Sequence, residues 1–466
     1  MKFPVRWLAL SLLGVVLVGS ATQIIREGES ESASSSALYA PTGERTDIDT
    51  TTLPRVEVDR PKPTYLLSER DPRIHHLQPF QALVDAAPAG FLLKPPPGHY
   101  AGPVTLSKPL TIEGGGQVTI DAGDKGTVFL AQTNDVTLRG LHLTGSGDSH
   151  DTDDACLDVR GHRARIENMT IDNCLIGIDL KQSTLSVVRN NRIRSKPVSL
   201  GMRGDGIRLW YSHHNKIENN DVSYVRDMVA WYSHDNLYRN NLGQHSRYSI
   251  HFMFSNRNKV ENNRFINNTV GIYFMYSEAC VARNNYISHA TGVAGMGIGF
   301  KEASDILIEN NEIIYSAAGV VSDLSPFQPN TTIRFNRNRF AYNGIGLMFT
   351  SDLGNNHVTD NTFEGNLTHV AYGGRRGESV TWNLWKGNYW DNYQGFDRDS
   401  DGVGDRPYEM LAFSDMIWME MPPARFFANS PVMELLDFLE RLAPFSTPEL
   451  ILKDEAPRYS KPMRKS

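Results

Sequence analysis

The sequence predicts an all-β fold, a right-handed parallel β-helix, and three observations point to it. An asparagine returns at the end of each repeat unit, at Asn191, Asn220, Asn241, Asn263, Asn285, Asn311, Asn338 and Asn361, usually after a hydrophobic-x-x-Asn run. The tightest steps are 21 and 22 residues, too short for the paired-helix repeats of tetratricopeptide or ankyrin type. Each unit also carries two short apolar strand signals, the first as in Gly206–Leu209 or Gly271–Phe274 and then a second as in Ile217–Asn220 or Val260–Asn263. One turn of chain is therefore a coil of parallel strands. Asparagine suits its corners because it tolerates left-handed backbone angles and because stacked Asn side chains satisfy one another's hydrogen bonds.

Taken in order, Met1–Ala21 has Lys2 and Arg6, the apolar run Trp7–Val18 and then Val-Gly-Ser-Ala, the pattern of an export signal with cleavage after Ala21. The apolar stretch reaches Ile25, so residues 1–25 read as an export signal or an uncleaved membrane anchor. Both place the body outside the cytoplasm. Residues 26–70 are rich in Ser, Thr, Glu and Pro and cannot repay the entropy of ordering, so they read as a tether. Residues 71–380 are assigned to the β-helix, opened by a short amphipathic helix at His75–Ala87, since a terminal repeat needs a cap. Residues 381–466 hold a non-repetitive Trp/Tyr-rich closing segment, Trp382–Tyr408, and an amphipathic helix at Pro431–Leu442.

A length of 466 residues suits one large stacked domain with tails, because a solenoid core grows with each rung. The formal charge of −6 disfavours a nucleic-acid partner. Cys156, Cys174 and Cys280 form no Cys-x-x-Cys motif, and at most one bridge can join them; three buried rung cysteines is the simpler expectation.

Aligning the rungs on the corner asparagines puts Ile207, Met228, Ile250, Ile272 and Ile298 in one inward column and Leu209, Ala230, Phe252, Phe274 and Phe300 in a second. Alternation then sends Arg208, Val229, His251, Tyr273 and Gly299 outward, with Trp210, Trp231, Met253, Met275 and Lys301 beside them. Two Trp and two Met in register on a solvent face make an apolar contact patch. Met253 and His251 share a face, and Met275 lies one rung along; thioether with imidazole is a ligand set that selects copper, especially Cu(I). The plainer alternative is that these side chains pack beneath a terminal segment folded over the face. A corner column of His213, His234, Asn256 and Glu278 offers two further imidazoles, either copper ligands or corner hydrogen-bonders.

A second constellation is Asp397-Arg-Asp399-Ser-Asp401-Gly402-Val-Gly-Asp405, with carboxylates at positions 1, 3, 5 and 9 and Gly at 6 of a calcium loop. Position 12 is Tyr408, which leaves Glu409 as the nearest bidentate candidate. Catalytic signals are thin. There is no Gly-x-Ser-x-Gly, His-Glu-x-x-His or phosphate loop, and the acidic run Asp148–Asp154 reads as solvated, so no catalytic residue is assigned. A carbohydrate-active or carbohydrate-binding β-helix is the alternative; the enzyme would want Asp, Lys and Arg converging across rungs, and a binder would stack sugars on Trp210 and Trp231.

Three strings resemble the NosD family, extracytoplasmic β-helical accessory proteins for copper-site maturation of nitrous oxide reductase. They are Arg247-Tyr-Ser-Ile-His-Phe-Met-Phe-Ser-Asn256, Gly271-Ile-Tyr-Phe-Met-Tyr-Ser277 and Gly387-Asn-Tyr-Trp-Asp-Asn-Tyr393 with the Asp loop. Asn429-Ser-Pro-Val432 is similar to the family's terminal motif, and the likeness runs from about Gln78 to Phe445. It implies a periplasmic, non-enzymatic protein of denitrification that sits on an ABC transporter of cytoplasmic ATPase and membrane permease. It also implies copper received from a lipoprotein chaperone and delivered to nitrous oxide reductase. Carried over by motif, His251, Met253 and Met275 are the copper residues, and the helix at Pro431–Leu442 docks on the permease.

Overall fold

The computed structural model describes residues 76–351, 353–372, 382–412, 430–432, 435, 439 and 449–462. The export signal or anchor and the tether lie outside the described residues, as does most of the helix read at Pro431–Leu442. Of that helix Pro431, Val432, Leu435 and Leu439 are described, and they are helical.

Among the described residues the chain winds into a parallel β-helix whose strands make two long sheets, of 25 and 12 strands, with a two-stranded antiparallel sheet at the end. Every rung from Val104 to Tyr372 lends one strand to the twelve-stranded sheet, in strict sequence order. Both expected inward columns are buried, and the Phe252, Phe274 and Phe300 rings stack at 5.3 and 5.7 Å.

The two asparagines of a corner divide the work. The first, as at Asn219, Asn240, Asn262 and Asn284, takes the left-handed conformation, with φ of 55 to 57°. The second is buried, and its Oδ1 accepts both the backbone N–H and the side-chain N–H of the asparagine one rung earlier. Its own Nδ2 also reaches a backbone carbonyl of the preceding rung, as from Asn241 to Ile217. The column runs unbroken from Asn191 past Asn361 to Asn388 and ends on the carboxylate of Asp454.

The opening helix is shorter than expected. It covers Gln81–Ala86, because Gln78–Pro79 is already a strand paired with Tyr100–Ala101. It still caps the first rung, with Phe80 and Val84 fully buried. The closing segment stacks Trp390 on Phe363 at 4.3 Å and on Tyr408 at 4.4 Å. Tyr408–Ala412 then pairs with Glu449–Asp454, so a strand near the C-terminus covers the final rung.

Cysteine chemistry departs from the simpler expectation. Cys156 and Cys174 form a disulfide, since the winding brings their Cα atoms to 5.6 Å. Cys280 stays a free buried thiol, pushed up to about 12 by burial. No helix among the described residues is long and apolar enough to cross a membrane.

Candidate metal centre

The twelve-stranded sheet places the candidate copper residues on two adjacent strands, Tyr248–Met253 and Val270–Met275. They pair in parallel with His251 opposite Tyr273 and Met253 opposite Met275. Trp231 pairs with Met253 on the other side, and Trp210 with Trp231. The column inferred from alternation is thus in register throughout.

His251 is not exposed, contrary to the outward reading; only 8% of it meets solvent. Most of the column is buried, Arg208, Val229 and Gly299 included, and on this rung the Tyr248 and Tyr273 rings cover the imidazole. A register shift accompanies it: His251 follows Tyr248 by three positions where Val229 follows Asp227 by two. The extra residue is a bulge, and it turns Tyr248 to the same face as His251. The two rings lie 4.9 Å apart, and Tyr273 meets the imidazole edge-on at 5.8 Å. Tyr273 itself leans onto the next rung at Gly299, where a Cβ would fall 2.3 Å from the ring.

In this aromatic wall His251 Nε2 is buried with no hydrogen-bond partner. Burial depresses the imidazole pKa to about 4, so the ring is neutral at physiological pH. A neutral, unpartnered ring nitrogen beside two partly exposed thioethers is a donor set suited to a soft monovalent ion. Arg247 forms a two-pronged ion pair with buried Asp227 and lies over the Tyr248 ring at 4.8 Å, which fixes the tyrosine that covers His251.

His213 and His234 stack at 5.2 Å within 7° of parallel. Each Nδ1 accepts a backbone N–H, from His234 at 3.0 Å and from Asn256 at 2.9 Å. That bond fixes the proton of the neutral ring on Nε2. The geometry is that of corner hydrogen-bonders, and copper at either ring would have to displace a proton or break the corner.

Trp210 is 37% exposed and meets Trp231 edge-to-face at 5.4 Å. Alongside runs a feature the sequence reading passed over. Tyr211, Tyr232, Phe254 and Tyr276 stack at 4.9, 5.2 and 4.7 Å, each in the left-handed conformation with φ near 50°. Bulky side chains are rare there, so ring stacking stabilises a corner the backbone disfavours. Their shared register in the alignment was the available signal.

The same sheet also gathers Asp, Lys and Arg across rungs, the convergence that the carbohydrate-active alternative calls for. Asp158, Asp179 and Arg208 continue the His251 column on earlier rungs. Asp179 is wholly buried; Arg208 donates to both its oxygens and to Asp153, while Lys181 reaches Asp153, Asp158 and Asp179 at 3.1 to 3.5 Å. Arg160 pairs with Asp158 at 2.9 Å. Burial pushes the Asp179 carboxyl above its ordinary range even against these cations. Nor is the acidic run Asp148–Asp154 solvated throughout: Asp154 is buried and accepts from Ser149 N and Thr152 Oγ1.

In the second constellation Asp397, Asp399 and Asp401 bring carboxylate oxygens within 4.8 Å of one another. Asp397 accepts from the backbone of Asp401 and Gly402, and Gly402 makes the turn at φ 85°. Asp405 stands apart from this trio and accepts from Arg398 N. Tyr408 is buried on Trp390 and Glu409 faces Lys453 at 3.8 Å, so neither completes the loop.

Residues 190–395 match the family model described as periplasmic copper-binding protein (NosD). A Pseudomonas aeruginosa protein named probable ABC transporter binding protein NosD is 28% identical over 381 residues, 74% of this chain and 83% of that one. Its Stutzerimonas stutzeri namesake is 32% identical over 129 residues, 28% of each chain. The A-module of the Azotobacter vinelandii mannuronan C-5 epimerase AlgE6 superposes with a TM-score of 0.51 at 16% identity, covering 63% of this chain and 91% of its own. That last likeness establishes the β-helix and nothing about chemistry. The resemblance to NosD spans the rungs that carry His251, Met253 and Met275.

Proposed function

We propose that this chain is an extracytoplasmic copper-handling protein, not an enzyme, that takes Cu(I) as cargo at His251 with Met253 and Met275. One observation carries the reading: a buried, neutral imidazole whose Nε2 has no partner, set beside two thioethers in register. A buried unpaired nitrogen is a cost unless something binds it. The strands already present all three donors on one face, so closing around a soft ion needs side-chain rotation and no change of fold.

By likeness to proteins named for ABC transporter binding, the chain docks on the periplasmic side of a transporter of ATPase and permease. There it receives copper from a lipoprotein chaperone and supports copper-site maturation of nitrous oxide reductase. The exposed Leu435 and Leu439 of the C-terminal helix supply an apolar contact for the permease. The Asp397–Asp405 loop is assigned a structural Ca²⁺, bracing the closing segment, with the trio Asp397, Asp399 and Asp401 as its core.

The deciding experiment is anaerobic Cu(I) titration of the exported protein against a competing chelator. Wild type binds tightly, and the His251→Ala/Met253→Ala/Met275→Ala variant loses that binding while still folding, at a lower melting temperature for the cavity left at His251. Unchanged stoichiometry in the triple variant sinks the reading and moves attention to His213 and His234. A carbohydrate-binding reading draws support from the Asp179, Lys181 and Arg208 cluster beside Trp210. These charges are spent on one another, and saturable oligosaccharide binding without a copper response would favour it instead.

A further inference from the structure

Met253 lies in register between Trp231 and Met275, about 5 Å from each along the sheet. Trp231 is half-buried, and its indole N–H is buried without a hydrogen-bond partner. A tryptophan kept for its N–H would have an acceptor. What this one offers is its ring. Trp210 holds it edge-on at 5.4 Å and is itself braced by Tyr211 at 5.3 Å and Tyr232 at 5.8 Å. A rigid, electron-rich face bordering a thioether attracts a desolvated cation.

The charges along the column say which cation. Between Lys181, which is held by Asp153, Asp158 and Asp179, and Lys301, which stands opposite Asp323, the column holds only the neutral Trp210, Trp231, Met253 and Met275. The nearest buried carboxylate, Asp227, is already paired with Arg247. A doubly charged ion would have neutral ligands alone, whereas a soft single charge is satisfied by sulfur, imidazole and ring.

We infer that Trp231 is a specificity-determining residue of this centre: its indole covers the ion beside Met253 and makes the site selective for Cu(I) over Cu(II) and Zn(II). The inference rests on the copper reading above. It predicts that Cu(I) quenches Trp231 emission in the wild-type chain, read as the difference spectrum against Trp231→Leu. It also predicts that Trp231→Leu weakens Cu(I) roughly ten-fold or more, with Trp231→Phe keeping most of the affinity. The weak binding of Cu(II) and Zn(II) is then the same in all three proteins.

A Leu variant that binds Cu(I) as tightly as wild type, with unchanged preference over Cu(II), overturns the role of Trp231. If the His251/Met253/Met275 triple variant has meanwhile lost Cu(I), the copper reading survives that failure. A triple variant that retains Cu(I) defeats both. Should the Leu variant misfold, the Phe variant decides: lost quenching supports the inference, and full quenching overturns it.

Discussion

The carboxylate of Asp454 accepts both the backbone N–H and the side-chain N–H of Asn388, 66 residues earlier, at 2.9 Å each. Trp390 Nε1 donates to the same oxygen, and Gly387 and Ala456 donate to the other. Every earlier asparagine in the column meets another asparagine at this place. The last has only Asp454.

Asp454→Ala leaves several buried donors unpaired, each costing about 1–3 kcal/mol. A loss of about 3 kcal/mol or more is therefore expected, seen as a lower melting temperature. Asp454→Asn keeps one acceptor oxygen, as in the rest of the column, and should recover most of it. Equal melting of wild type and the Ala variant would contradict the assignment.

His251 gives a pH signature. Its folded pKa of about 4 lies below the unfolded value near 6.5, so between them the unfolded chain binds more protons. The associated stability is complete above pH 6.5 and is lost as pH falls toward 4. Wild type should lose about 3 kcal/mol more than His251→Asn over that window. Cu(I) affinity should meanwhile stay flat from about pH 5.5 to 8, because the ring has no proton to shed. A ten-fold fall per pH step across that range would show that the ligand titrates normally.

Three carboxylates within 4.8 Å repel without a cation. Chelator should lower the melting temperature of wild type by several degrees and leave Asp399→Ala/Asp401→Ala unaffected. Identical melting of wild type with and without chelator removes calcium from the account.

Docking through the C-terminal helix is best tested at single positions, because truncation before Glu449 would also remove the strand that covers the last rung. Leu435→Ser/Leu439→Ser should abolish co-purification with the permease while the melting temperature stays within a degree or two. Normal co-purification of that variant would place the interface elsewhere.

The rungs were legible because one spacing repeats, so Asn220, Asn241 and Asn263 identify each other and carry the inward and outward columns with them. Features that break the repeat were hidden. The bulge between Tyr248 and His251 adds a single residue, invisible in a rung of normal length, yet it brings the Tyr248 ring onto the candidate ligand. The Asp179 and Arg208 pair sits 29 residues apart, across a longer rung than those used for alignment. Asp454 reaches Asn388 from outside the repeat altogether, where periodicity carries no information. Cys156 and Cys174 meet for the same reason, through winding rather than any local motif.

The asparagine column has a polarity in its acceptors: each Oδ1 takes its donors from the rung on the N-terminal side, so each rung needs an acceptor on the next. Left bare, its final rung would offer unpaired donors and open strand edges to the first rung of another molecule, a head-to-tail contact that does not close on itself. Repeated, such a contact builds a filament. Asp454, an acceptor with nothing to pass on, stops the column at one end, and the helix at Gln81–Ala86 covers the first rung at the other, so the stack ends in caps rather than in open rungs.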